Sequence, residues 1–338
     1  HFVKKCRKLG REGGRRIDGR VAFAIIKVLY GKRGRRAVAV FKNYYQYLYA
    51  CPVVELTGYT ARFEVPGRIF AYLDFAGPTG SAKDGLAEGM LALAAQRGDL
   101  KKGQPVVEAS GGTFAAALCI AARRSGHPVY LVVSPTLPGE RQKLLQRLGA
   151  QLVLCPEGMS RRKAAREKAL STAEEKGGYY LDYFNNDDNP EYHRRITGPA
   201  ILKATHGGED IDTIVAGVGS GGTVTGVGEH VKAWTNHIRM VAVEPYESQA
   251  IGGGFIGRHG IPGLGAGFVP QNYNPYIVDR VVAVATGEAL RAARDVLRTD
   301  AIPAAPSAGA TLFAARTLLE QDPATRALCV FSRSPLYE

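Results

Sequence analysis

From residue 51 onward the chain alternates short apolar runs with helical stretches, and this alternation constrains its fold more than any other feature. Runs at 69–75, 105–109, 129–133, 152–155, 179–183, 212–216, 238–243 and 327–331 read as strands. Between them, 82–97, 113–124, 139–148, 161–176, 224–233, 287–298 and 309–319 read as helices. Strand and helix in turn build right-handed βαβ units, so the expected class is α/β, with parallel sheets covered by helices on both faces. The strands are too many for one small sheet. A chain of 338 residues is also about twice an average domain of ~150, so two doubly wound lobes are expected.

Charge separates the first 50 residues from this body. They hold six Lys and eight Arg against Glu12 and Asp18, which accounts for +12 of the formal net charge of +13. The body is thus nearly neutral, and any polyanion would bind the basic extension alone. That extension carries no recognised nucleic-acid motif, which argues against such a partner. Its apolar run 21–26 is too short for a secretory signal, and nowhere does the chain approach the ~18 apolar residues of a membrane span. The five cysteines show neither CxxC nor Cys/His ligand spacing, so no metal is expected and a reducing cytoplasm is the simplest setting.

Ligands of such sheets bind beyond the carboxyl ends of strands, so chemistry is expected in the turns there. Gly217-Val218-Gly219-Ser220-Gly221-Gly222-Thr223 lies between a strand and a helix. Its glycines let N–H groups converge, Ser220 and Thr223 add hydroxyls, and the helix start adds positive potential. It lacks the Lys of a P-loop and the GxGxxG spacing of a dinucleotide fold, so a phosphate monoester fits better than a nucleotide; a merely tight turn is the plainer reading. A second turn, Gly77-Pro78-Thr79-Gly80-Ser81-Ala82-Lys83-Asp84, delivers Lys83 to a helix start. An amine there is electrostatically misplaced, which suits a Schiff-base lysine; a solvated surface lysine is the alternative. A third, Ala109-Ser110-Gly111-Gly112-Thr113, offers free N–H groups to a carboxylate, or simply an N-cap at Ser110. The Gly-rich stretch 252–267 reads as a loop approaching a ligand.

Phosphate cup, lysine and carboxylate loop are together what pyridoxal 5′-phosphate acting on an amino acid requires. With these motifs in order, residues 51–338 resemble the cysteine synthase (O-acetylserine sulfhydrylase) and cystathionine β-synthase group of fold-type II pyridoxal-phosphate enzymes. Ser81-Ala82-Lys83-Asp84, 217–223, Asn189-Pro190-Glu191, His193, Thr197-Gly198-Pro199, Val243-Glu244-Pro245 and Gly265-Ala266-Gly267-Phe268 carry the likeness. The resemblance implies that Lys83 holds the cofactor and then removes the α-proton. It assigns the phosphate to Gly219, Ser220, Gly221, Gly222 and Thr223, the pyridine nitrogen to Ser307, and a cofactor contact to Gly112. Ala109, Ser110, Gly111, Thr113 and Tyr183 would meet the substrate. The lobes it implies are 51–185, with the substrate loop and a first segment crossing to the other lobe, and 186–338, with the phosphate loop.

Several positions depart from the family pattern. Gly112 replaces an Asn, Asp182-Tyr183-Phe184 replaces Gln-Gln-Phe, and Arg333-Ser334-Pro335-Leu336-Tyr337 replaces Asp/Ser-Ser-Gly-Glu-Arg-Tyr. Cofactor-binding parts are kept while substrate-binding parts are altered. The implied reaction is replacement of acetate in O-acetyl-L-serine by sulfide through aminoacrylate, giving L-cysteine. The alternatives are an L-cysteine β-lyase releasing hydrogen sulfide, a synthase of a non-protein amino acid, and, in another class, a catalytically silent scaffold or a nucleic-acid-binding protein using residues 1–50. The resemblance implies a homodimer. It also brings serine acetyltransferase as a partner, which the altered loop argues against.

Overall fold

The computed structural model describes Leu48, residues 51–155 and residues 161–335; apart from Leu48, the basic extension of residues 1–50 lies outside the described residues. The first part of the described chain forms β1 (Val53–Glu55), α1 (Thr57–Arg62), β2 (Arg68–Leu73), α2 (Lys83–Arg97), β3 (Val106–Glu108), α3 (Thr113–Ser125), β4 (Val129–Val133), α4 (Gly139–Arg147), β5 (Ala150–Leu154), α5 (Arg161–Lys176) and β6 (Tyr179–Tyr180). The second forms α6 (Asp188–Tyr192), a π-helical turn (His193–Thr197), α7 (Gly198–Ala204), β7 (Thr213–Gly217), α8 (Gly222–Trp234), β8 (Arg239–Pro245), β9 (Arg280–Val284), α9 (Thr286–Asp300), α10 (Pro306–Gln321) and β10 (Arg326–Phe331).

Two sheets result. One has six strands in the order β1-β2-β10-β7-β8-β9, the other four in the order β5-β4-β3-β6. The four-stranded sheet is wholly parallel. The larger sheet is parallel except for the edge strand β1, which runs antiparallel to β2 with Val53 opposite Tyr72. The class is therefore α/β with two doubly wound sheets, and the chain from β1 to β2 belongs to the six-stranded one.

Burial on both faces explains why the central strands read as continuous apolar runs. In β10, Ala327, Cys329 and Phe331 pack into one core while Leu328 and Val330 pack into another on the opposite face. The smaller sheet divides in the same way, with Val129, Leu131 and Val133 of β4 on one side and Val132 on the other. Side chains alternate across a strand, so each central strand anchors two helical layers at once. The ends of β2, β7 and β10 are in register, with Leu73 opposite Phe331 and Val215 opposite Cys329. The turns leaving them therefore emerge at one edge of the sheet.

Two differences from the sequence reading bear on the site. The run 179–183 is a strand only over Tyr179–Tyr180, because the backbone turns at Asp182, whose φ is +48°. The segment 188–204, rich in helix breakers, is helical throughout. It packs so closely on α8 that a Cβ on Gly226 would stand 2.1 Å from the carbonyl oxygen of Pro190.

Candidate active site

Five turns meet at the carboxyl edges of the two sheets. Lys83 opens α2, Thr113 opens α3, 218–221 leads into α8, Ser307 stands at the start of α10, and Arg333 follows β10. The helix starts aim positive potential at one cleft. An inner cavity of about 70 Å³ is lined by Lys83, Thr113, Gly219, Ser220, Gly221, Thr223 and Ser307. It adjoins an outer cavity of about 490 Å³, whose lining includes Lys83, Ser110, Gly112, Thr113, Tyr183, Arg141 and Arg333.

Close approach of neighbouring groups explains the glycines of the 217–223 turn. A Cβ at Gly219 would lie 2.2 Å from the carbonyl oxygen of Gly263, and one at Gly222 would lie 1.8 Å from Oδ1 of Asn189. Gly221 has φ of +86°, a conformation that costs a side chain but not glycine. The hydroxyls of this turn are held from behind. Asn189 Nδ2 donates to Ser220 Oγ at 3.0 Å and to the carbonyl of Tyr183 at 2.9 Å. His193, fully buried on the π-helical turn, spans Thr197 Oγ1 at 2.9 Å and Thr223 Oγ1 at 3.1 Å. Burial, reinforced by Lys83, keeps the His193 ring well below its ordinary pKa, so it holds Thr223 as a neutral imidazole.

The lysine turn is fixed by Asp84, whose Oδ2 accepts from the N–H and the hydroxyl of Thr79 at 3.0 and 2.9 Å. Burial pushes the Asp84 carboxyl up to about 6. Lys83 Nζ lies 5.4 Å from the centroid of the Tyr183 ring, within cation–π reach. That ring stacks on Phe114 at 4.0 Å, so Tyr183 forms a rigid wall of the cleft. Beneath the 109–113 loop, buried Glu108 accepts from Ala109 N at 2.9 Å and Tyr183 N at 3.1 Å. Desolvation pushes its carboxyl up to about 8. Glu244 accepts from Ile251 N and Gly252 N, which orders the start of the glycine-rich loop that brings Pro262, Gly263 and Leu264 to the cleft.

Most residues singled out in the sequence converge: Lys83, Gly219, Ser220, Gly221, Thr223 and Ser307 in the inner cavity, and Ser110, Gly112, Thr113 and Tyr183 in the outer. Ala109, Gly111 and Gly222 are not part of these linings. Ala109 faces a separate cavity with Glu108 and Arg162, Gly111 packs on Leu137, and Gly222 backs onto Asn189. Sequence reading gave no site role to Arg141, Phe114 or Phe184. Arg333 was visible only as a departure from the family pattern. Among the described residues, no group of three or more His, Cys, Asp or Glu side chains could hold a metal ion, and no helix is long and apolar enough to cross a membrane.

The donor set fits pyridoxal phosphate. The glycine-rich loop at the start of α8 suits a phosphate monoester, and the primary amine of Lys83 and the hydroxyl of Ser307 line the same cavity. Comparison with known proteins agrees. The chain belongs to the pyridoxal-phosphate dependent enzyme family, whose match spans residues 45–332. Its relatives within that family include cysteine synthases. It is 37% identical to the cysteine synthase of Staphylococcus aureus over 247 residues, covering 73% of this chain and 79% of that one. It is 38% identical to cysteine synthase A of Escherichia coli over 266 residues, covering 76% and 81%. The crystal structure of cysteine synthase from Entamoeba histolytica superposes with a TM-score of 0.81 at 30% identity, covering 89% of this chain and 90% of that one. The protein is a pyridoxal-phosphate-dependent enzyme of the cysteine synthase type.

Proposed function

We propose that the enzyme replaces the β-substituent of an O-activated L-serine, in the first instance O-acetyl-L-serine, with sulfide to give L-cysteine and acetate. One observation carries this reading: Lys83, Gly219, Ser220, Gly221, Thr223 and Ser307 line a single cavity that adjoins a second one lined by Ser110, Gly112 and Thr113. Bound pyridoxal phosphate supplies an electron sink that acidifies the α-proton and lets the β-substituent depart. The N–H groups of 219–223 and the hydroxyls of Ser220 and Thr223 hold its phosphate, and Ser307 meets the ring nitrogen. A neutral hydroxyl there leaves that nitrogen unprotonated, which favours elimination over chemistry needing a long-lived carbanion. The amine of Lys83 receives the α-proton at Nζ. The start of α3 takes the substrate carboxylate, and Tyr183 with Phe114 closes the apolar side.

The lobes 51–185 and 186–338 are part of this proposal, supported by β3 to β6 forming one sheet and β7 to β9 lying in the other. A homodimer in a reducing cytoplasm is its setting. The test is the visible spectrum of the purified enzyme. O-acetyl-L-serine should displace the cofactor band and sulfide should restore it, with both effects lost in Lys83→Ala. A band indifferent to O-acetyl-L-serine but displaced by L-cysteine, with sulfide released, would replace this reading with the β-lyase.

A further inference from the structure

Behind the cleft, a buried carboxyl stands where two stretches of chain part. Strands β3 and β6 are joined by Tyr179 N donating to Pro105 O at 2.8 Å and Leu181 N donating to Val107 O at 3.0 Å. Donors in a parallel ladder recur at every second residue, so Tyr183 N is the next of this series. The backbone has by then turned at Asp182, and the Glu108 side chain takes that N–H in place of a main-chain oxygen, accepting through Oε2 at 3.1 Å. Its Oε1 accepts from Ala109 N at 2.9 Å. Glu108 is 2% exposed, and each of its oxygens holds one of the two diverging chains.

From this fork the two arms run along the outer cavity. Ser110, Gly112 and Thr113 line it from one arm and Tyr183 and Phe184 from the other, while Glu108 itself stays outside the lining. The far side of the Tyr183 peptide is held as well: its carbonyl accepts from Asn189 Nδ2 at 2.9 Å and Asn272 Nδ2 at 3.0 Å, both side chains buried. Three buried polar side chains on one peptide of an irregular segment fix where its ring stands, with Lys83 Nζ 5.4 Å from the ring centroid. Of the three, Glu108 is the one that also holds the 109–113 arm.

We propose that Glu108 is a positioning residue for the amino-acid substrate: its carboxyl sets the spacing between the 109–113 loop, which takes the α-carboxylate, and the Tyr183 wall. This rests on the β-replacement reading and adds to it a group that touches neither substrate nor cofactor. A carboxyl suits the place because it offers two acceptor oxygens to two N–H groups. An amide of the same size has one acceptor and would turn a donor towards one of them. An arm released by about 1 Å costs of order 100-fold in productive substrate binding. The phosphate turn is held from behind by Asn189 and His193, so cofactor affinity is set elsewhere.

The test is Glu108→Gln, followed in the visible band of the holoenzyme. The half-saturating concentration of O-acetyl-L-serine for displacing that band should rise at least tenfold. The dissociation constant of pyridoxal phosphate, from titration of the apoenzyme, should stay within twofold of wild type. Asp300→Asn is the matched control, because Asp300 likewise accepts from two main-chain N–H groups, Gly58 N at 2.9 Å and Tyr59 N at 2.8 Å, outside both cavity linings. It should lower the melting temperature and move neither constant. An O-acetyl-L-serine response that is unchanged in Glu108→Gln, that weakens in step with cofactor affinity, or that shifts equally in Asp300→Asn overturns the positioning role and leaves β-replacement standing. A wild-type band that O-acetyl-L-serine does not displace overturns both.

Discussion

Replacing Gly219 by alanine tests the reasoning about the phosphate turn. The new Cβ would stand 2.2 Å from the carbonyl oxygen of Gly263, and ordinary contact begins at 3.4 Å, so one segment must retreat by 1.2 Å. Neither can do so cheaply. Gly265 N donates to the carbonyl of Val218 at 3.0 Å, which ties the 263–265 turn to the residue just before Gly219. Overpacking of this kind typically costs ~1–3 kcal/mol, and misplacing a binding group by about 1 Å costs of order 100-fold. Gly219→Ala should therefore weaken pyridoxal-phosphate binding by roughly 10- to 100-fold, equivalent to ~1.4–2.8 kcal/mol. Titration of the apoenzyme with the cofactor, followed by its visible band, gives the dissociation constant. Gly112→Ala is the control, because its Cβ would meet nothing within 4 Å. Cofactor affinity in Gly219→Ala within twofold of wild type would show that this turn does not hold the phosphate.

Three further predictions follow from neighbouring contacts. Gly112→Asn should be sterically admitted and, as the N-cap of α3, should raise stability by a few tenths of a kcal/mol in thermal melts; a loss of stability would contradict the open space there. Burial lifts the Glu108 carboxyl from 4.5 to about 8, so the folded state holds its proton more tightly than the unfolded one. This group's contribution to stability therefore falls as pH rises through that window and is constant above it. Gln cannot titrate, so the melting temperature of Glu108→Gln relative to wild type should climb between pH 4.5 and 8, on top of a fixed deficit of about 1 kcal/mol for the lost acceptor; a flat difference would refute the assignment. Thr223→Val removes the partner of His193 Nε2 and should cost ~1–3 kcal/mol in chemical denaturation while weakening cofactor binding; a silent variant would mean that the His193 contact does not position the turn.

Where the sequence was read correctly, the reason is local. The runs in β4, β8 and β10 are apolar because both sheet faces are buried, and a strand so covered carries its signature in a few consecutive residues. Elements whose stability comes from elsewhere were missed. Strand β1 is only three residues long and exists through its pairing with β2. Edge strand β9 pairs on one side only, with β8. The segment 188–204 was assigned no element, yet it is helical and packs on α8 where Gly226 has no Cβ to hold it away.

The sequence by itself determined the chemical inventory: a run of glycines between a strand and a helix, a lysine at a helix start, a serine at another, and an alternation that places the first two beyond strands. These follow from residue type and from periods of 2 and 3.6, which are local properties of the chain. Only the tertiary structure decided which of these turns share a cavity and what else joins them. Arg141 and Arg333 lie in different parts of the chain, and no spacing rule connects them; packing of the two sheets brings them to one cleft. The same packing turned the chain at Asp182 so that Tyr183 became a wall beside Lys83 instead of the end of a strand. Periodicity encodes which face of an element is buried, but which elements meet there is set by long-range packing.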